Sequence, residues 1–130
     1  MLKIAALLIA ASALLGAVQA QAEVYELRTY TTHEGKLPDL HARFENHTMG
    51  LFEKHGIRNV AYWVPVDTPN TLVYLIAHKD MESAPKNWRA FGSDPAWQAA
   101  AKASRENGPI IVNIENVFMT STPYSPKTGN

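Results

Sequence analysis

From Glu23 onward the chain changes rhythm in a readable order. Glu23 to Thr32 (EVYELRTYTT) places β-forming residues at every second position, the period of a strand with two unlike faces. Between Lys36 and His55 the period lengthens: Leu37, Leu40, Phe44, Leu51 and Phe52 share one helical stripe, with Glu45, Asn46 and Glu53 elsewhere. Pro38 is tolerable in the first turn, and Gly56 closes the helix in a left-handed conformation, with Ile57 folding back on the last turn. Asn59 to Pro65 (NVAYWVP) and Thr71 to His78 (TLVYLIAH) predict two more strands around the turn Asp67 to Asn70 (DTPN). Asp80 can cap a second helix carrying Ala84, Trp88 and Phe91, although Pro85 is awkward within it. Gly92-Ser93 interrupts that helix, and Asp94-Pro95 restarts it as N-cap and first helical residue, through Trp97 to about Glu106. Gly108-Pro109 stops it, and Pro109 to Met119 (PIIVNIENVFM) predicts a fourth strand.

The order β-α-β-β-α-β is that of an α+β, ferredoxin-like domain, an antiparallel four-stranded sheet with both helices on one face. Alternation sorts each strand into two rows. In the first strand Tyr25, Leu27 and Thr29 oppose Val24, Glu26, Arg28 and Tyr30. Assigning Val73, Leu75 and Ala77 of the third strand, and Val112, Ile114 and Phe118 of the fourth, to the helices leaves an open face. That face carries Glu26, Arg28, Tyr74, His78, Asn113 and Glu115 among large apolar groups. In the second strand either Tyr62 or Trp63 points there. A mixed aromatic face of this size is not left bare on a soluble monomer, so the expected partner is a second copy laid face to face.

Ahead of this domain, Lys3 precedes an apolar run from Ile4 to Val18 and then small residues. That is the pattern of a cleaved secretory signal, too short for a membrane anchor. Val18-Gln19-Ala20 and Ala20-Gln21-Ala22 both satisfy the small-x-small rule, giving cleavage before Gln21 or before Glu23. The expected organisation is a leader over 1–22, one domain over 23–119 and a loosely held Pro/Gly-containing tail over 120–130. The expected destination is the periplasm or the medium. No cysteine is present, which excludes a lipoprotein, disulfides and thiolate metal ligands.

Twelve basic and twelve acidic residues cancel, with no basic stripe, so nucleic acid and, after cleavage, an anionic membrane have no electrostatic footprint. All three Trp, five Tyr and four Phe follow residue 22, which implies a dense core or a large buried interface.

Several short motifs then coincide. Tyr25-Glu26-Leu27-Arg28-x-Tyr30, Gly35-Lys36-Leu37, Arg43-Phe44-x-x-His47-Thr48, Leu51-Phe52-x-Lys54-His55-Gly56 and Tyr62-Trp63 are followed by three more. These are Thr71-Leu72-Val73-Tyr74-Leu75-x-Ala77-His78, Trp88-x-x-Phe91 and Asp94-Pro95-x-Trp97. In order and spacing this resembles the NIPSNAP domain, over roughly residues 23 to 126. The resemblance implies membership of the dimeric α+β barrel superfamily, in which two ferredoxin-like sheets close into one barrel. Barrels of that superfamily support cofactor-free oxygenases, haem-degrading enzymes, isomerases and lyases. Better-known eukaryotic relatives are mitochondrial and linked to interaction and signalling, roles that an exported chain cannot inherit.

Glu26 and Arg28, two apart on one strand face, are either an acid/base carboxylate beside an anion or carbonyl anchor, or a satisfied structural pair. His47, at the edge of the first helix's stripe, is either a general base at the barrel mouth or a hydrogen-bonded core histidine. His78 either lines a cavity rim with Tyr74 or caps the strand at the surface. Trp63, Asn113 and Glu115 complete the expected ligand-binding set. His41 and His55 are not spaced i, i+4 from His47, so no metal site is expected. No nucleophile triad, phosphate loop or dinucleotide fingerprint is present, and no cofactor is expected. Two functions remain open: a homodimeric barrel binding a small hydrophobic or aromatic molecule, as a cofactor-independent oxygenase or isomerase if catalytic; or a non-catalytic binding or scaffolding protein with a filled barrel.

Overall fold

The computed structural model describes residues 22–128; the predicted leader lies outside the described residues except for Ala22. Strand β1 (Val24–Thr32) leads into a helical stretch made of α1 (Leu37–Arg43), a π-helical turn (Phe44–Thr48) and α2 (Met49–Lys54). Strands β2 (Arg58–Trp63) and β3 (Thr71–His78) follow, then α3 (Ser83–Ser93), α4 (Pro95–Ser104) and β4 (Ile111–Met119). The sheet order is β2-β3-β1-β4, with every neighbour antiparallel. This is the ferredoxin-like α+β fold, and among the described residues no helix is long and apolar enough to cross a membrane.

Local chemistry explains the boundaries. Gly56 adopts φ 77°, and Ile57 N–H returns to Phe52 O at 2.9 Å, so the chain reverses where a glycine stands. Asp80 Oδ1 accepts from Ser83 N–H at 2.7 Å, and Pro85 sits in the first turn of α3, where its missing N–H costs nothing. Asp94 caps α4 through Ala96 N–H at 2.8 Å, with Pro95 next to it as the first helical residue. Between α1 and α2 the extra residue of the π turn is visible in the bonding, since Met49 N–H reaches back to Phe44 O.

The sheet reverses part of the expected sidedness. Register pairs Glu26 with Ile76 and Phe118, Arg28 with Tyr74 and Asn116, and Tyr30 with Leu72 and Ile114, so these residues share one row. That row packs under the helices. Leu72, Tyr74, Ile76 and Tyr30 belong to one buried core with Leu40, Phe44, Phe52, Ile57, Phe91 and Ile110. Glu26, Arg28, Tyr74 and His78 therefore face the helices, not the open side, and Val73, Leu75 and Ala77 face away from them. The assignment holds for β4, where Ile114 and Phe118 lie on the helix side and Asn113 and Glu115 do not. Trp63 pairs with Val73 on the open side, and Tyr62 pairs with Tyr74 on the helix side.

The physical reason is that polarity does not mark the open face of this sheet. Here the polar groups are buried because each is paired, and the apolar Leu27, Val73, Leu75 and Val117 make the uncovered row. Part of that row is crossed by the tail: Thr128 Oγ1 donates to Tyr25 OH at 2.7 Å, and Arg58 Nη1 reaches Thr128 O at 3.5 Å.

Candidate functional site

One carboxylate organises the helix side of the sheet. Glu26 is fully buried, and its Oε1 accepts from His78 Nε2 at 2.9 Å and Trp88 Nε1 at 2.8 Å. Its Oε2 accepts from Arg28 Nη1 at 2.6 Å and Asn116 Nδ2 at 3.1 Å. Burial alone pushes this carboxyl up, but the bonds from His78, Trp88 and Arg28 outweigh it and bring it down to about 2. Glu26 is thus an ionised group with both oxygens committed. It holds other side chains in place and has no lone pair to spare for abstracting a proton.

His78, with 1% exposure, is neither on a cavity rim nor at the surface. Asn87 Nδ2 lies 3.2 Å from His78 Nδ1 and 3.2 Å from Gly56 O, so the amide's two N–H groups serve both acceptors. Nδ1 is then an acceptor and Nε2–H the donor to Glu26. Gly56 is required here for space as well as φ, because a Cβ would stand 3.2 Å from Asn87 Oδ1.

Arg28 extends the network to two phenols. Its Nε donates to Tyr74 OH at 2.9 Å and its Nη2 to Tyr30 OH at 3.2 Å, while its Cζ lies 4.4 Å over the Trp88 ring. Tyr74 OH and Tyr30 OH are 2.9 Å apart. Each hydroxyl accepts from Arg28, so one donates to the other and one proton is left over. On Tyr74, which is fully buried, that proton would have no acceptor, whereas Tyr30 is one of the residues that line a cavity. Tyr74 is accordingly the donor and Tyr30 carries the free proton. Burial holds the Tyr74 phenol well above its ordinary pKa, with Tyr30 adding to the effect, so Tyr74 stays neutral.

The cavity is a cleft of about 380 Å³ between the β4 side of the sheet and the helices. Tyr30, Trp88, Phe91, Trp97 and Ile114 form much of its wall, and Arg43, Thr48 and Arg105 supply polar groups. Neither Glu26 nor Tyr74 lines it; they stand behind Tyr30 and Trp88. The remaining predicted site residues do not join the network. Asn113 and Glu115 are exposed on the other face of β4, and Trp63, half exposed at the end of β2, borders a separate hollow with His41, Met49 and Tyr62. His47 is exposed beside Asp39 and Ser104. The π turn accounts for this placement. With five residues per hydrogen-bonded turn, Thr48 instead of His47 stacks on Arg43, and Thr48 Oγ1 donates to Arg43 O at 3.3 Å.

A family model for NIPSNAP matches residues 25–126. The chain belongs to the NIPSNAP family. No curated protein matches it significantly. Among solved structures, a NIPSNAP-like domain protein from Burkholderia xenovorans superposes with TM-score 0.72 at 19% identity, covering 84% of this chain and 93% of that one. A NIPSNAP family protein of unknown function from Agrobacterium tumefaciens gives 0.70 at 23%, covering 82% and 94%. SnoaB, a cofactor-independent oxygenase from Streptomyces nogalater, gives 0.59 at 20%, covering 82% and 99%. At such identities these likenesses establish the shared fold.

In this NIPSNAP domain the residues that sequence reasoning missed are Tyr30, Arg43, Asn87, Arg105 and Asn116. Trp88 and Trp97 pack against the core and also form part of the cleft wall. Arg43 opens the motif Arg43-Phe44-x-x-His47-Thr48 and Tyr30 ends Tyr25-Glu26-Leu27-Arg28-x-Tyr30, so the sequence carries a signal for both. Asn116 needed the β4 register, and Asn87 needed the position of α3.

Proposed function

We propose that this NIPSNAP protein is exported to the periplasm or medium, pairs through its open sheet face, and binds a small aromatic molecule in the helix–sheet cleft. The observation that carries this reading is an aromatic-walled cleft of about 380 Å³ lined by Tyr30, whose hydroxyl proton the network leaves uncommitted. Arg28 behind Tyr30 is fixed by Glu26 and Tyr74, so the donor is held in place before any ligand arrives.

Cofactor-independent oxygenation and isomerisation both pass through an anion delocalised onto a substrate oxygen. A fixed phenol backed by a guanidinium is suited to stabilise such an oxyanion. In the oxygenase case the substrate itself supplies the electrons to dioxygen, and the protein contributes binding, orientation and exclusion of water. The SnoaB likeness agrees with this class without assigning it.

One observation favours the second reading, a non-catalytic binding protein. No Asp, Glu or His lines the cleft, so a general base would have to come from the substrate's own groups. Native mass spectrometry of the purified mature protein tests both. The proposal expects a dimer retaining an aromatic small molecule. A ligand-free monomer refutes it.

A further inference from the structure

Arg43 is a buried cation without a counter-charge. It is 7% exposed, yet among the described residues it takes part in no ion pair. Its side-chain contacts are one long hydrogen bond, Nη1 to Ser104 Oγ at 3.3 Å, and the Trp97 ring, whose centroid lies 5.1 Å from Cζ. Its Nε is sealed from solvent with no acceptor. A guanidinium offers five N–H donors, and sealing even one of them inside a protein without an acceptor is costly. Arg28, on the same side of the sheet, shows what a satisfied arginine looks like here: one carboxylate, two phenols and a tryptophan face.

The two arginines also differ in where they stand. Arg28 lies behind the wall of the cleft; Arg43 lines it, as does Arg105, and no acidic side chain does. Burial lowers the Arg43 pKa and nearby Arg105 adds to this, with Tyr30 and Tyr74 offsetting part of it, and among the described residues no carboxylate pairs with the charge. Arg43 is presented by the last residue before the π turn, and Phe44 and Thr48 of that turn line the same cleft. Such turns recur where a helix must aim side chains at a site. Beside the charge, Trp97 and Phe91 have ring centroids 4.5 Å apart at an interplanar angle of 34°. The charged side chains that line the cleft are both cations, and its aromatic lining suits a flat ring.

We infer that the cleft takes a planar aromatic carboxylic acid, its ring against Trp88, Phe91 and Trp97 and its carboxylate on Arg43, with Arg105 as the second cation. This rests on the cleft being the binding site proposed above and names its ligand class. A carboxylate is favoured over a phenolate because the planar fork of a guanidinium matches two coplanar oxygens. The site is a binding subsite: Arg43 orients the acid, and the Tyr30 hydroxyl remains free for a second oxygen of the ligand.

The test uses the full mature chain, with 2-naphthoate and its neutral isostere 2-naphthamide as probes, followed by calorimetry and ligand-observed NMR at low salt. Naphthoate is expected to bind at least tenfold more tightly than the amide. Arg43→Gln should abolish that preference, and Arg43→Lys should keep part of it. Arg43→Met should melt no lower than the wild type, because it removes a charge that has no partner. The comparison of the two probes on the wild-type protein stands even if a variant folds poorly. Equal binding of acid and amide, or a preference surviving in Arg43→Gln, overturns the inference and leaves the cleft as an apolar site. Failure of both probes at millimolar concentration overturns it as well. If the native mass spectrum also shows no ligand, the proposed function falls with it.

Discussion

Replacing Glu26 by glutamine tests whether the buried network is what orders the helix side of the sheet. The carboxylate accepts four hydrogen bonds, two at each oxygen. An amide keeps one oxygen and puts an NH2 where the other stood, so two donors meet a donor, and Arg28 loses its counter-charge. Removing one partner from a buried ion pair costs about 3–5 kcal/mol. The carboxyl's own titration gives an independent figure. Its pKa falls from the ordinary 4.5 to about 2, which at about 1.4 kcal/mol per pH unit is worth roughly 3 kcal/mol. The two routes agree on about 3 kcal/mol, a large part of the roughly 5–15 kcal/mol that a domain has in total.

The sign in pH follows from the direction of that fall. A depressed carboxyl contributes fully above its unfolded value of 4.5, and the contribution is lost as pH drops toward 2. Urea melts followed by far-UV circular dichroism at pH 7 should show the Glu26→Gln midpoint lower by about 2 M, if m is about 1.5 kcal/mol/M and unchanged. Between pH 5 and 2.5 the wild type should lose stability more steeply than the variant, because the variant lacks this titration. A loss below 1 kcal/mol at neutral pH would refute the reasoning, as would parallel acid slopes.

Other perturbations probe separate parts of the structure. Leu40→Ala empties a fully buried position in the core and should cost about 2–5 kcal/mol in the same melts, with a cost below 1 kcal/mol contradicting the packing. Gly56→Ala forces a side chain into φ 77° and against Asn87, so a loss of about 1–2 kcal/mol is expected, and an unchanged midpoint would show that the turn has room. Leu27→Glu places a charge in the middle of the open sheet face; if the proposed pairing holds, light scattering should report a dimer for the wild type and a folded monomer for the variant, and a dimer persisting in the variant would place the interface elsewhere. Tyr30→Phe should weaken binding of an aromatic acid about tenfold and lower stability by about 1–3 kcal/mol, because the fully buried Tyr74 hydroxyl and Arg28 Nη2 lose their acceptor; unchanged affinity would remove Tyr30 from the site.

The order of elements was legible because each carries its own local chemistry. Asp94-Pro95, Gly56-Ile57 and the alternation of Glu23 to Thr32 act over a few residues, and the structure uses them as read. The π turn was not legible. The stripe of Leu37, Leu40, Phe44, Leu51 and Phe52 fits a continuous α-helix, and one extra residue per turn shifts His47 out and Thr48 in without disturbing those apolar positions enough to betray it.

The site failed at a different level. Alternation sorts a strand into two rows, but it does not say which row the helices cover. For β1 the choice lay between Tyr25, Leu27 and Thr29 and the row of Val24, Glu26, Arg28 and Tyr30, and ordinary hydrophobicity points to the first. What decides it is complementarity that only the assembled sheet reveals. Asn116 of β4, Tyr74 and His78 of β3 and Trp88 of α3 all arrive at Glu26 and Arg28 from distant parts of the chain. A polar row can go inside when every member finds a partner, and these do. Arg43 is the member of the neighbourhood that does not. Arg28 holds a carboxylate, two phenols and a tryptophan face, whereas Arg43, in the lining of the cleft, holds one 3.3 Å bond and the Trp97 ring, and the proposed aromatic carboxylate would supply the counter-charge that Arg28 already has.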